Sequence, residues 1–225
     1  MDTQILLTLI SRGWLVLAGG ASSLFIPFFL TPDQQGYYYT FASVLTAQIF
    51  FELGLNHVLT QLTSHTAAHL HRTPSGQLTG ELRWLEAIAS LVALSRRWNT
   101  LMASLFLLAA TIGGGFFFAY KETLPLSDWL PAWITLIVAT AINLAMSSHL
   151  AICEGLGEVS QVARLRISQS VAGYALLWLL LLTGHGLWAS VAVPLASAAL
   201  TLVWLAKHAT LNQLRLISAG SSATT

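Results

Sequence analysis

Residues 37–62 read YYYTFASVLTAQIFFELGLNHVLTQL, an apolar run in which Glu52 is the one Asp, Glu, Lys or Arg. A helix needs about 20 apolar residues to cross a bilayer, and this run supplies them. Strands of a membrane barrel would alternate apolar and polar side chains, which this stretch does not do. It reads as a membrane-spanning helix with a carboxylate inside it. Ionisable groups at such depth are costly and face a bundle interior or a water-filled path.

Composition carries the reading to the whole chain. Of its 225 residues 55% are hydrophobic and 8% charged, with a mean hydropathy of +0.69. Soluble domains hold about 25% charged residues, so a water-soluble core is excluded. A net charge of +1 gives no footprint for nucleic acid. Cys153 is the single cysteine, which rules out an internal disulfide. No Walker loop, G-x-S-x-G or zinc-protease motif occurs, so the reading is of a non-enzyme without a cofactor.

Six spans fit the hydropathy, at about 5–30, 37–62, 99–120, 129–152, 167–182 and 187–206. The last two split a charge-free tract, too long for one helix, at Thr183-Gly184-His185-Gly186. The start of the fifth span can move back toward Ala163. The fold class is an all-α polytopic membrane protein, with residues 1–217 as one six-helix lobe and 218–225 (SAGSSATT) as a disordered tail. The N-terminal segment lacks a basic region and an A-x-A site, so it is the first span rather than a cleaved signal peptide.

Lys and Arg set the orientation. Arg72, Arg83, Arg96, Arg97, Arg164, Arg166, Lys207 and Arg215 fall on the side of the N-terminus, against Lys121 on the other. Both termini are expected in the cytoplasm. Tyr37, Tyr38, Tyr39, Tyr120, Trp129 and Trp188 would mark the outer interface, Trp98 and Trp204 the inner one. Thr31-Pro32-Asp33-Gln34 combines an N-cap threonine, a first-turn proline and a glutamine three residues after the cap, so the second span starts sharply there. In the first inner loop Leu82, Leu85, Ile88, Ala89 and Val92 recur at helical spacing opposite Glu81, Arg83 and Glu86. This predicts a helix over about 79–95, lying on the cytoplasmic membrane face or packed under the bundle.

Counting places the buried charges. Arg12 lies about 10 Å into the first span, and Glu52 about 22 Å into the second from its outer end. In a hydrocarbon layer of about 30 Å the two share a depth, and an ion pair between neighbouring helices follows. Gln48, Glu52 and Asn56 are spaced by four and stack on one stripe. Thr140, Asn143 and Ser147 form a second stripe, extended by Glu154. Thr8, Arg12, Gly19 and Ser23 share a face of the first span. Three such stripes can surround a hydrated cavity, and polar residues can equally act as interhelical glue. Gly113-Gly114-Gly115 reads as a close-packing or kink site, and Pro194 as a kink. His65 and His69 have the spacing of a helical metal pair, but no cysteine or carboxylate lies close in sequence, and a solvated loop without metal is the reading.

At 30–61 the sequence LTPDQQGYYYTFASVLTAQIFFELGLNHVLTQ resembles the polysaccharide-export branch of the MOP flippase superfamily, the Wzx-like translocases of O-antigen and lipid-linked oligosaccharides. The resemblance rests on Leu30, Thr31, Pro32, Gly36, Tyr37, Tyr38, Glu52, Leu53 and Gly54. Glu154-Gly155-Leu156-Gly157-Glu158 is similar to the family's turn between its fourth and fifth helices. Family members have twelve to fourteen helices in two lobes around a central cavity. The resemblance therefore implies one N-terminal lobe, working as a half-transporter with a second lobe (by homodimerisation or from a separate chain) or as a truncated form. It implies a bacterial inner-membrane flippase for a lipid-linked glycan in cell-surface polysaccharide biosynthesis, with membrane lipids around it. Arg12 would attract the substrate's acidic groups, Glu52 would orient Arg12 or exchange protons, and Gln48, Asn56 and Asn143 would contact the glycan. The rival readings are a non-transporting scaffold for glycan-assembly enzymes and a multidrug exporter of the same superfamily.

Overall fold

A computed structural model describes residues 3–52, 54–73, 78–121, 123–208, 210, 213 and 214, with side chains from Gly13 onward except those of residues 119 and 121. The tail 218–225 and Arg215 lie outside the described residues. Helices dominate: α1 (Thr3–Phe29), α2 (Pro32–Glu52), α3 (Leu55–Ala67), α4 (Leu82–Lys121), α5 (Leu126–Gly155), α6 (Val159–Leu182) and α7 (Ala192–Lys207). A 3₁₀ turn, Gly186–Val191, leads into α7. Four helices, α4 to α7 (the last with its 3₁₀ turn), are long and apolar enough to cross a membrane. The expected second span, 37–62, is instead broken into α2 and α3 with a bend of 44°, and counts as a fifth only where the pair crosses as one. The chain is an all-α, multi-pass membrane protein. The first expected span, 5–30, falls on α1, whose described apolar stretch Gly13–Phe29 is shorter than a full crossing.

Local chemistry sets the element ends. Thr31 Oγ1 accepts from the Gln34 amide (3.3 Å), and Gln34 Oε1 accepts from the Thr31 amide (3.1 Å). This reciprocal capping box starts α2 where the sequence places it. The α6–α7 hairpin breaks at the expected place, with Gly184 and Gly186 at positive φ. The start of α6, at Val159, is even earlier than Ala163.

Expectations for the inner loop change as well. The amphipathic inner segment is not a separate surface helix: it is the first part of α4, a continuous 40-residue helix. No glycine or proline occurs between residues 82 and 112, so nothing stops the helix from running into the third span. At about 1.5 Å per residue α4 is roughly 60 Å long, twice a hydrocarbon layer. Its first part therefore projects past the membrane, with Leu85, Ile88, Ala89 and Val92 buried against Leu59, Ile152 and Val162. The loop before it also holds a short antiparallel pair, β1 (Leu70–Arg72) and β2 (Leu78–Gly80), in register Leu70 to Gly80. His69 stacks on Trp84 (ring centroids 4.2 Å), and among the described residues it joins no metal cluster with His65.

The most buried helix, α5, runs through the centre against α3, α4, α7 and the 3₁₀ turn, while α1 packs mainly along α6. Lipid is as apolar as leucine, so helices meet through small residues that admit close approach. A Cβ added at Gly155 would lie 2.7 Å from the Thr60 carbonyl, and one at Gly173 2.9 Å from Val193 Cα. At the end bearing the Thr31 turn, an aromatic core joins α2, α4 and α5. Tyr37 stacks on Phe118 (5.0 Å), and Trp129 and Trp133 close around them. Tyr37 and Trp129 thus serve the core rather than an interfacial belt. Tyr39, Tyr120 and Trp188 are exposed, as a belt requires.

Candidate functional site

Between α2, α5, α6 and α7 lies a cavity of about 390 Å³, lined by Gln48 and Tyr38 on one side and by Thr140 and Asn143 on another. Tyr174, Ser190 and Ser197 complete its polar wall, and Leu45, Leu177 and Pro194 are among its apolar members. The volume falls within the range of small-ligand pockets, about 300–1,000 Å³. Its described lining carries hydroxyls and amides and no charged side chain.

Two of the three polar stripes meet here. Asn143 Nδ2 donates to the Pro194 carbonyl (2.8 Å) and to the Ala139 carbonyl (3.0 Å). Both donations hold the Asn143 amide between α5 and α7 at the cavity wall. The place expected for α1 is taken by α6 and α7 among the described residues. Ser23 of α1 is exposed and donates to its own helix, to the Gly19 carbonyl (3.0 Å). Gly19 packs instead on the Tyr174 hydroxyl, and Trp178 Nε1 donates to Ser22 (3.0 Å).

Below the cavity the α2 stripe continues as a hydrogen-bonded chain. Gln48 Nε2 donates to Glu52 Oε1 (2.9 Å), and Asn56 Nδ2 donates to Glu52 Oε2 (3.4 Å). Ser147 Oγ approaches Asn56 Oδ1 (3.4 Å), and Asn99 Nδ2 donates to Ser147 Oγ (3.1 Å). The chain thereby links α2, α3, α5 and α4. Glu52 stands at the break between α2 and α3, where Gly54 has φ +70°; that conformation suits glycine and disfavours other residues. The backbone of Arg12 lies in α1, but its side chain, and with it the Arg12–Glu52 pair, lies outside the described residues.

Tyr174, Ser190 and Ser197 were not singled out in the sequence, and Tyr38 was expected at the outer interface rather than in a cavity wall. The Gly184–Gly186 break and Pro194 were local signals near that wall. Glu154, expected to extend the α5 stripe, instead pairs with Arg166 (2.9 Å).

A second polar cluster lies at the other end of the bundle, in the turn between α5 and α6. Glu158 is 3% exposed, and its Oε1 is 2.7 Å from Arg72 Nη2 of β1. Thr210 Oγ1 approaches the same oxygen (3.4 Å), and Oε2 is 2.6 Å from His208 Nε2. Burial pushes the Glu158 carboxyl up, but the adjacent His208 and Arg72 outweigh it and hold the group below the usual carboxylate range. Cys153, Glu158 and His208 present one thiol, one carboxylate and one imidazole within 4.8 Å of one another. These are the residues whose chemistry suits a metal ion. Their grouping is not legible in the sequence because they come from the ends of three different helices.

Comparison with known proteins gives no match: no protein-family model fits the sequence, and no curated protein or solved structure is significantly similar to it.

Proposed function

We propose that this membrane protein is one lobe of a flippase for a lipid-linked oligosaccharide, with the cavity between α2, α5, α6 and α7 receiving the glycan. The observation that carries the reading is that cavity: hydroxyl and amide groups without charge, enclosed by helices that are apolar on their other faces. Sugars present hydroxyls as both donors and acceptors, and side chains such as Asn143, Gln48, Ser190 and Ser197 match them in kind. A cationic drug would call for a carboxylate or a richer aromatic cage, so the multidrug reading is the weaker of the two.

In this proposal Gln48 and Asn143 contact the glycan, and Asn56 supports Glu52 one turn below. Glu52 sits at the α2–α3 break, where a bend can change as the lobe alternates. Arg12 serves the substrate's phosphate or sugar-acid charge. The lobe works in the bacterial inner membrane with both termini cytoplasmic, beside a second lobe from another copy or another chain.

The test is reconstitution into liposomes with a fluorescent undecaprenyl-linked saccharide, followed by a membrane-impermeant quencher. Wild-type chain should render most of the label accessible, and Gln48→Ala with Asn143→Ala should slow this by about tenfold or more. Movement no faster than in protein-free liposomes, for a chain shown to be folded, sinks the proposal. Crosslinking in the same vesicles reads the second lobe.

A further inference from the structure

We propose that Cys153, Glu158 and His208 bind a zinc ion that ties together the ends of three helices. Cys153 lies in the last turn of α5, Glu158 caps the start of α6, and His208 follows directly after α7. Their donor atoms lie within 4.8 Å of one another, with Cys153 and Glu158 buried. Tetrahedral zinc with thiolate, imidazole and carboxylate ligands needs them about 3.3–3.8 Å apart. Small side-chain rotations reach that spacing.

The geometry around Glu158 leaves one carboxylate oxygen for a metal ion. Oε2 and His208 Nε2 approach to 2.6 Å, yet Oε2 is buried without a hydrogen-bond donor in line with it. The short contact is thus not an aligned ring N–H to oxygen bond. Cys153, the third donor, lies within 4.8 Å of both groups. Arg72 and Thr210 occupy the other oxygen, Oε1. Outer partners of that kind fix the orientation of a ligating carboxylate. Thiolate and imidazole together select zinc over magnesium or calcium. Binding releases the thiol proton to solvent, so the thiolate and carboxylate offset the two charges of the metal beside Arg72. A neighbouring cavity of about 250 Å³, lined in part by Gln161, Trp204 and Lys207, gives the ion a route in and room for water as the fourth ligand.

The full chain, purified in detergent, is titrated with Co²⁺ as the spectroscopic stand-in for Zn²⁺. Expected are the intense visible bands of tetrahedral Co²⁺, a near-ultraviolet thiolate-to-cobalt band, and displacement of both by Zn²⁺. Cys153→Ser, which preserves side-chain size, should abolish the thiolate band, and His208→Ala should weaken binding by at least about tenfold. Arg72→Gln should keep the thiolate band, because Arg72 is not a ligand. A folded chain that takes up no Co²⁺ overturns the site and leaves an Arg72–Glu158–His208 ion cluster. So does a cobalt spectrum unchanged by Cys153→Ser. The readout involves no transport, so it stands or falls apart from the flippase proposal.

Discussion

Gly113, Gly114 and Gly115 occupy one turn of α4 and offer an internally controlled test of how this bundle packs. A Cβ at Gly114 would lie 2.3 Å from Trp133 Cζ2 and 2.5 Å from Cε2, whereas Cβ atoms at Gly113 and Gly115 would meet nothing within 4 Å. Ordinary contact begins near 3.4 Å, so Gly114→Ala demands a separation of about 1 Å. The indole cannot give way easily, since it is 1% exposed and boxed in by Phe41 and Phe118 at centroid distances of 5.0 and 5.2 Å. Overpacking of this kind costs about 1–3 kcal/mol. The gain in helix propensity from Gly to Ala, about 1 kcal/mol, is common to all three sites and cancels in the comparison. Gly114→Ala should therefore fall below both Gly113→Ala and Gly115→Ala by about 1–3 kcal/mol, roughly 5- to 150-fold in the folding equilibrium. Reversible unfolding in mixed micelles with increasing SDS, followed by tryptophan fluorescence and circular dichroism, measures the difference. If the three variants agree within about 0.5 kcal/mol, the proximity of α4 to Trp133 is not what the structure assigns.

Other perturbations test neighbouring features in the same unfolding assay. Gln169 Nε2 donates to Thr201 Oγ1 at 2.6 Å between α6 and α7, so Gln169→Leu should cost about 0.6 kcal/mol, the average for such bonds within membranes, and no more than about 1.7 kcal/mol. Thr31→Ala removes one half of the capping box on α2 and should cost about 1 kcal/mol, while Thr31→Ser should cost much less. Gly155→Val forces α5 away from Thr60 and Thr63 of α3 and should destabilise by about 1–3 kcal/mol; hydrogen exchange in α3 should rise with it. Gly54→Ala places a side chain at φ +70° and should cost about 1 kcal/mol, read as a lower midpoint in the SDS titration.

Features set by a few consecutive residues were legible in advance. The length of each apolar run, the Thr31–Gln34 cap, the Thr183–Gly186 break and the Gln48–Glu52–Asn56 stripe all follow from spacing along one segment. The amphipathic face of Leu85, Ile88, Ala89 and Val92 was also readable, but the fusion of that segment into α4 was not. A helix continues by default when nothing stops it, and the sequence offered an expected loop rather than a stop signal at Trp98 and Asn99.

Which stripes face each other was a different matter. In water, an apolar face announces that it will be buried; in lipid both faces of a helix are apolar, and the partner is chosen by small residues and a few hydrogen bonds. Gly19 and Ser22 send α1 to Tyr174 and Trp178 of α6, so Asn143 and Gln48 share their cavity with α6 and α7. The meeting of Cys153, Glu158 and His208 depends likewise on the ends of α5, α6 and α7 converging. The sequence by itself determined that this is a helical membrane protein, where α2 starts and the α6–α7 hairpin turns, and that polar groups lie within its helices, because hydropathy and capping act over neighbouring residues. Only the tertiary structure decided which of those groups line a cavity and that Cys153, Glu158 and His208 lie together, because contacts between helices dozens of residues apart depend on packing that no local pattern encodes.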